Sequence, residues 1–156
     1  MHEQWIDKVE GLTFRHQYLL SEFQNNIIKE LKSVHYAHKV LVQKKYHLVN
    51  NGIESPIIDY LPEVQIAINK VSKLMDFNFV TYRCIEPYTA YGWHRDAGGI
   101  CYHIPLKTNP GCWFVYENKS FHMPADGSLY RVVNGQYHTF VNSGDSQRIH
   151  ITFERI

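Results

Sequence analysis

The sequence predicts a mainly β fold with N-terminal helices, in which a jelly roll formed by the second half of the chain is buttressed by helices from the first. Three observations predict it. The chain is 14% aromatic, with 11 Tyr and 8 Phe, and aromatic side chains suit the half-buried surface of a pleated sheet. Its apolar pattern changes near Met75, from helical spacing to short alternating runs. Turn residues then cut those runs at intervals of about eight to twelve positions, the rhythm of an all-β sandwich or barrel. At 156 residues the chain suits one domain that buries a sizeable core without metal or disulfide staples. The expected division is a largely helical buttress over 1–76 and a β core over 77–156.

In chain order, Leu20, Phe23, Ile27, Ile28 and Leu31 form one apolar stripe at helical spacing, which predicts a first amphipathic helix. A second helix is expected in "YLPEVQIAINKVSKLM", with Pro62 in its first turn and Val64, Ala67, Ile68, Val71 and Met75 on one face. Between them "HYAHKVLVQKKYHLVNNGIESP" stays open in type: "KVLV" fits a strand, and "NNG" and "SP" mark turns. After Asn78 come "NFVTYRCIE", "CYHIPL", "CWFVYE", "SLYRVV", "YHTFVN" and "RIHITFE", each ended by turn residues. The span beyond Phe77 has room for roughly eight strands of ordinary length. Asn134-Gly135 reads as a two-residue hairpin. In the last run Ile149, Ile151 and Phe153 alternate with polar residues, so they should face out of the barrel onto the helices.

Charge and cysteine usage exclude several functions. The formal net charge is +1, from 16 Lys+Arg against 15 Asp+Glu, and no basic run suggests a groove that tracks phosphates. Nucleic acid is not an expected partner. The first residues, "MHEQWIDKVEGLTF", carry charges and no long apolar run, so neither a membrane span nor a signal peptide is expected and the reading is cytoplasmic. Cys84, Cys101 and Cys112 are odd in number and far apart, which speaks against a disulfide framework or a thiolate zinc site and for reduced thiols.

The chemistry concentrates in "YGWHRDAGG", Tyr91 to Gly99. On an extended segment His94 and Asp96 point to one face and Arg95 to the other. The glycines at 92, 98 and 99 let the chain bend around that point. One more imidazole would complete a two-histidine, one-carboxylate facial triad, the set that leaves open positions on a non-haem Fe(II). His138 supplies it from the tail "HTFVNSGDSQRIHITFE". A hairpin centred on Ser143 would put His138 opposite Arg148 on one face, with Cβ atoms about 5 Å apart. An arginine inside a barrel needs an anion, and its planar fork suits a carboxylate. A small dicarboxylate spanning metal and arginine would satisfy both. The competing role for Arg148 is a salt bridge, with Glu154 on its own face or with Asp145 in the turn. His35, His38, His47 and His122 fit no ligand pattern and read as surface or satisfied core groups.

With those residues in view, the chain resembles the aspartyl/asparaginyl β-hydroxylase family of 2-oxoglutarate- and Fe(II)-dependent oxygenases. The resemblance runs over about the last eighty residues, through "HRD", "HIPLKTNPG", "MPADGSLYRVVN" and "HTFVNSGDSQRIHITFE" in order. It implies a cupin-like double-stranded β-helix. It implies His94, Asp96 and His138 as the catalytic iron ligands, Arg148 on the distal carboxylate of 2-oxoglutarate, and His103 and His150 near that cosubstrate. Two positions depart from the pattern: Cys101 stands where many members have arginine, and Tyr88 where a glycine usually follows the proline. The implied reaction uses Fe(II), 2-oxoglutarate and O2 to hydroxylate a C–H bond, releasing succinate and CO2. The implied substrate is a free amino acid or an Asp or Asn residue in a peptide. The alternative is a cupin-type metal-binding protein without 2-oxoglutarate chemistry, which gives Arg148 no task. A nucleic-acid demethylase of the same superfamily would carry a second arginine where this chain has Glu154, and a pure interaction module would not need the intact triad.

Overall fold

The computed structural model describes residues 6–13, 32–35, 42–60 and 62–156. Twelve strands are formed among the described residues: β1 (Ile6–Thr13), β2 (Lys32–His35), β3 (Val42–Asn50), β4 (Ile53–Glu54), β5 (Phe79–Ile85), β6 (Thr89–Ala90), β7 (Ile100–Lys107), β8 (Cys112–Tyr116), β9 (Ser120–Phe121), β10 (Ser128–Val133), β11 (His138–Asn142) and β12 (Arg148–Glu154). A 3-10 turn over Pro56–Tyr60 leads into helix α1, Pro62–Val71. The larger sheet runs β1-β10-β7-β12-β5-β3-β2, with β4 on β3, and the smaller runs β6-β11-β8-β9. Two facing antiparallel sheets of this kind are the jelly roll expected from the turn rhythm.

Period-two alternation along β12 builds both sides of the larger sheet. Ile149, Ile151 and Phe153 are buried together with Leu48, Val64, Ala67, Ile68 and Val71, so this face is sealed by α1. The α1 side chains are those the helical spacing selects, with Pro62 at the first position, where its missing N–H leaves no helix hydrogen bond unmade. Met75 packs against the same cluster. The opposite face of β12 presents Arg148, His150, Thr152 and Glu154. Between the sheets a second cluster holds Ile85, Tyr130 and Val132 from the larger and Phe114, Tyr116 and Phe140 from the smaller.

The architecture corrects several expectations. Among the described residues of the first 76 are four strands that extend the larger sheet, besides the 3-10 turn and the α-helix that covers it. The helix expected around Leu20–Leu31 lies outside the described residues. The open segment contains β3, which begins at Val42 and pairs with β5 in the sheet. Asn134-Gly135 does not close a hairpin, because β10 pairs with β1 and β7 while β11 pairs with β6 and β8. The turn at Ser143 likewise carries the chain from the smaller sheet to the larger, where β12 pairs with β5 and β7. His138 is therefore opposite Tyr116, not Arg148.

Backbone conformation marks two tight places. Gly99 has a φ of +77°, in the region glycine enters without strain. A Cβ on Gly98 would come within 2.7 Å of the Arg155 carbonyl oxygen, so this loop passes too close to the C-terminal backbone for any larger residue. Tyr88, where a glycine usually follows the proline, takes a φ of +56° although it is largely exposed. The three cysteines are free and buried, and among the described residues no helix is long and apolar enough to cross a membrane.

Candidate metal centre and its cavity

His94 and Asp96 lie in the loop between β6 and β7, and His138 opens β11. A backbone bridge holds the two segments together: the His94 N–H donates to the His138 carbonyl at 2.9 Å and the His138 N–H to the His94 carbonyl at 2.7 Å. The ligand atoms of His94, Asp96 and His138 fall within 4.8 Å of one another. The three side chains that sequence spacing singles out are thus brought together by the fold.

Hydrogen bonding fixes which ring nitrogens face inward. His94 Nδ1 donates to the Gly92 carbonyl at 2.5 Å and His138 Nδ1 to the Gln136 carbonyl at 2.7 Å. A carbonyl only accepts, so each Nδ1 carries a proton and each ring turns its Nε2 toward the third member. Asp96 presents Oδ1 at 3.7 Å from His94 Nε2 and Oδ2 at 3.5 Å from His138 Nε2. Burial lowers the pKa of His138, with His94 acting in the same direction, so this ring favours its neutral form. Two lone pairs and a carboxylate converging on one point repel unless a cation lies between them. Two imidazoles and a carboxylate suit a divalent transition metal such as Fe(II).

Neighbouring groups orient the set. Asn134 Nδ2 donates to Asp96 Oδ2 at 3.2 Å, and the Asp96 N–H donates to the Asn134 carbonyl at 2.8 Å. Partners of this sort aim a ligand and tune its basicity. Phe114 stacks on His138, ring centroids 4.8 Å apart at 19°, and Tyr91 meets His94 at 4.9 Å. From sequence Asn134 reads only as a turn residue; its link to Asp96 spans 38 positions and leaves no local signal.

The triad opens into a cavity of about 460 Å³ including its mouth, lined also by Arg148 and His103. Arg148 is 4% exposed, with its guanidinium carbon 4.9 Å from the centre of the Phe140 ring. Its Nη1 donates to His150 Nδ1 at 3.2 Å, while its Nε has no partner. It forms a salt bridge with neither Glu154 nor Asp145: Glu154 is taken by Arg83, and no described carboxylate reaches Arg148. Burial is the main cause that pushes the Arg148 pKa down to about 10.

His103 and His150 stand beside this arginine, their Nδ1 atoms 3.0 Å apart. His150 Nδ1 accepts from Arg148, so the shared proton in the imidazole pair belongs to His103 Nδ1. His103 then keeps a free lone pair on Nε2. Burial and then the Arg148 charge hold both imidazoles well below their ordinary pKa. His47 bonds to Thr81 across the β3–β5 pair, and His122 to the Cys112 carbonyl.

The site is thus a jelly roll of the cupin-like fold whose cavity joins a His-Asp-His cluster to a buried arginine that has no carboxylate partner among the described residues. The aspartyl/asparaginyl β-hydroxylase family model matches residues 15–155, and the chain belongs to that family. The fold is similar to that of an oxidoreductase of the 2OG-Fe(II) oxygenase family from Burkholderia pseudomallei, with a TM-score of 0.68 at 10% identity over 96% of this chain and 84% of that one. It is also similar to the viral collagen prolyl hydroxylase of Paramecium bursaria Chlorella virus-1, with a TM-score of 0.62 at 13% identity over 97% and 95% of the two chains. A prolyl-4-hydroxylase of Pseudomonas putida gives a TM-score of 0.60 at 16% identity over 97% and 93%. Comparison with curated proteins gives no match. Family and fold together support an oxygenase-type hydroxylase, an oxidoreductase, and the His-Asp-His cluster fits a metal site.

Proposed function

We propose that the protein is a 2-oxoglutarate- and Fe(II)-dependent dioxygenase that hydroxylates a C–H bond of an amino acid or of an Asp or Asn residue in a peptide, releasing succinate and CO2. The observation that carries this reading is the buried guanidinium of Arg148, which faces the same cavity as the triad and has no carboxylate of its own. A metal-binding jelly roll without a diacid cosubstrate has no use for that charge.

In this reading His94, Asp96 and His138 hold the iron by Nε2, a carboxylate oxygen and Nε2. Arg148 grips the distal carboxylate of 2-oxoglutarate, and His150, already accepting from Arg148, keeps the guanidinium turned toward it. His103 lines the same pocket with its free Nε2 available to accept a hydrogen bond. Asn134 holds Asp96 in place while the ligands exchange. When bound, iron and 2-oxoglutarate would supply the electrons that activate O2, the keto acid being oxidised to succinate and CO2. The protein's part is to bind, orient and keep the site dry: Phe114, Tyr91 and Phe140 wall the centre with aromatic rings.

Release of succinate from 2-oxoglutarate, measured with and without Fe(II) and across candidate substrates, tests the reading. The expected result is turnover that needs both Fe(II) and 2-oxoglutarate, rises with the true substrate and vanishes in Asp96→Ala. Turnover equal in wild type and Asp96→Ala would overturn it.

A further inference from the structure

One wall of the cavity carries a charge pair that neither the triad nor the cosubstrate uses. On β5, β12 and β3, the inward side chains of Arg83, Glu154, Thr152 and Gln43 form a connected polar cluster. Arg83 Nε donates to Thr152 Oγ1 at 2.9 Å, Nη1 to Gln43 Oε1 at 3.2 Å, and Nη2 to Glu154 Oε1. This network is incomplete. Gln43 is 1% exposed, yet its Nε2 has no partner. Its amide cannot be turned over, because Oε1 must stay against the arginine donor. A guanidinium has five N–H groups, so Arg83 keeps two to spare. No described residue bonds the second oxygen of Glu154.

We propose that this cluster is the subsite for the primary substrate, and that the substrate is a free α-amino acid held by both charged groups. The spare N–H groups of Arg83 and Gln43 Nε2 receive the α-carboxylate. The free oxygen of Glu154 receives the α-ammonium. Donors and acceptor lie side by side on one wall, as the two groups of an α-amino acid lie one carbon apart.

The proposal rests on the hydroxylase reading and narrows its substrate. Charge balance supports the zwitterion over a peptidyl aspartate. In the loaded site the metal dication, the 2-oxoglutarate dianion, Asp96 and Arg148 cancel, and Arg83 cancels Glu154. A zwitterion adds no net charge to this buried space, whereas a peptidyl aspartate adds one anion without a counterion, a costly burial. A capped peptide unit also offers no ammonium for Glu154.

A purely structural role, bracing β3, β5 and β12, would leave substrate selection untouched, so the test reads selection. Under argon, the Fe(II) and 2-oxoglutarate complex of the wild-type protein is titrated with free proteinogenic amino acids, each also as its N-acetyl and its α-amide form and within short Asp- and Asn-containing peptides. Binding is followed by the change in visible absorption of the complex. The expected result is that at least one free amino acid binds, with both capped forms weaker by at least tenfold. In Glu154→Gln the gap between free and N-acetylated forms should shrink. If that variant does not fold, Arg83→Lys should shrink the gap between free and amidated forms. Capped forms or peptides binding as well as the free amino acid, or no free amino acid binding at all, would overturn the subsite. Absence of the absorption itself would instead sink the hydroxylase reading beneath it.

Discussion

Replacing Arg148 by Met should have two effects of opposite sign. Without cosubstrate the protein buries an arginine whose pKa falls from 12.5 to about 10, which corresponds to roughly 3 kcal/mol working against the folded cation. Methionine removes that burden, as exchange of buried ionic groups for apolar ones often does. Against the gain stand the hydrogen bond to His150, about 1 kcal/mol, and the contact with Phe140, about 1 kcal/mol. The net expectation is a gain of about 1 kcal/mol, or roughly 2–4 °C in Tm for a chain of this length. With 2-oxoglutarate the sign reverses. Each charge-assisted bond to the distal carboxylate contributes about 1.5–3 kcal/mol, so even one lost bond weakens binding by about tenfold or more. Thermal unfolding of wild type, Arg148→Lys and Arg148→Met, at fixed Fe(II) under argon with increasing 2-oxoglutarate, reads both effects. Wild type should gain Tm with cosubstrate, Lys less and Met almost nothing, while Met starts higher. Equal cosubstrate-induced shifts in the three proteins would mean that Arg148 does not hold 2-oxoglutarate. A large fall in Tm for Met without cosubstrate would mean that the charge is already satisfied in the fold.

Other consequences follow from the same geometry. Asn134→Ala removes the hydrogen bond that aims Asp96, and metal affinity measured by calorimetry should fall by about 10–100-fold with the fold intact; unchanged affinity would remove Asn134 from the site. His103 and His150 have folded-state pKa values held below the ordinary one by burial, then by Arg148, with Arg83 and His138 also facing His103, and with His103 and His122 facing His150. Their stability contribution is therefore complete above the unfolded value of about 6.5 and is lost as pH falls below it, by up to tenfold in the folding equilibrium per pH unit for each ring. Urea unfolding of the metal-free protein across this range should show that slope, and His103→Gln/His150→Gln should flatten it. Tyr88→Gly should stabilise the protein by about 1 kcal/mol, because an exposed side chain with φ at +56° loses strain and little contact; a lower Tm would show that Tyr88 does structural work on the surface.

What is legible in the sequence, and what is not, divides along one physical line. Alternation is local, so spacing alone assigns the two faces of β12 and the apolar stripe of α1, and with them the inward course of Arg148, His150, Thr152 and Glu154. Turn chemistry is local too, but it does not say where the chain goes next. Asn134-Gly135 and Ser143-Gly144-Asp145 look like hairpin turns and are crossovers between facing sheets. His138 and Arg148 still line one cavity, because they face it from opposite sheets instead of sharing one surface. Long-range partnerships leave no trace in spacing: the Arg83–Glu154 pair joins positions 71 apart, and Gln43 sits in a segment whose pattern fits neither element clearly. The family motifs add the assignment of His138 to the iron and of Arg148 to the cosubstrate, which no periodicity alone establishes.

The central claim is that His94, Asp96 and His138 hold one Fe(II) that 2-oxoglutarate then chelates. Anaerobic titration of the metal-free protein with Fe(II) at saturating 2-oxoglutarate, followed by visible absorption, tests it most directly. The expected result is a metal-to-ligand charge-transfer band that saturates at one Fe(II) per chain in wild type and is lost in Asp96→Ala while the circular dichroism stays the same. A wild-type protein that gives no band, or a band that survives in Asp96→Ala with unchanged intensity and stoichiometry, would contradict it.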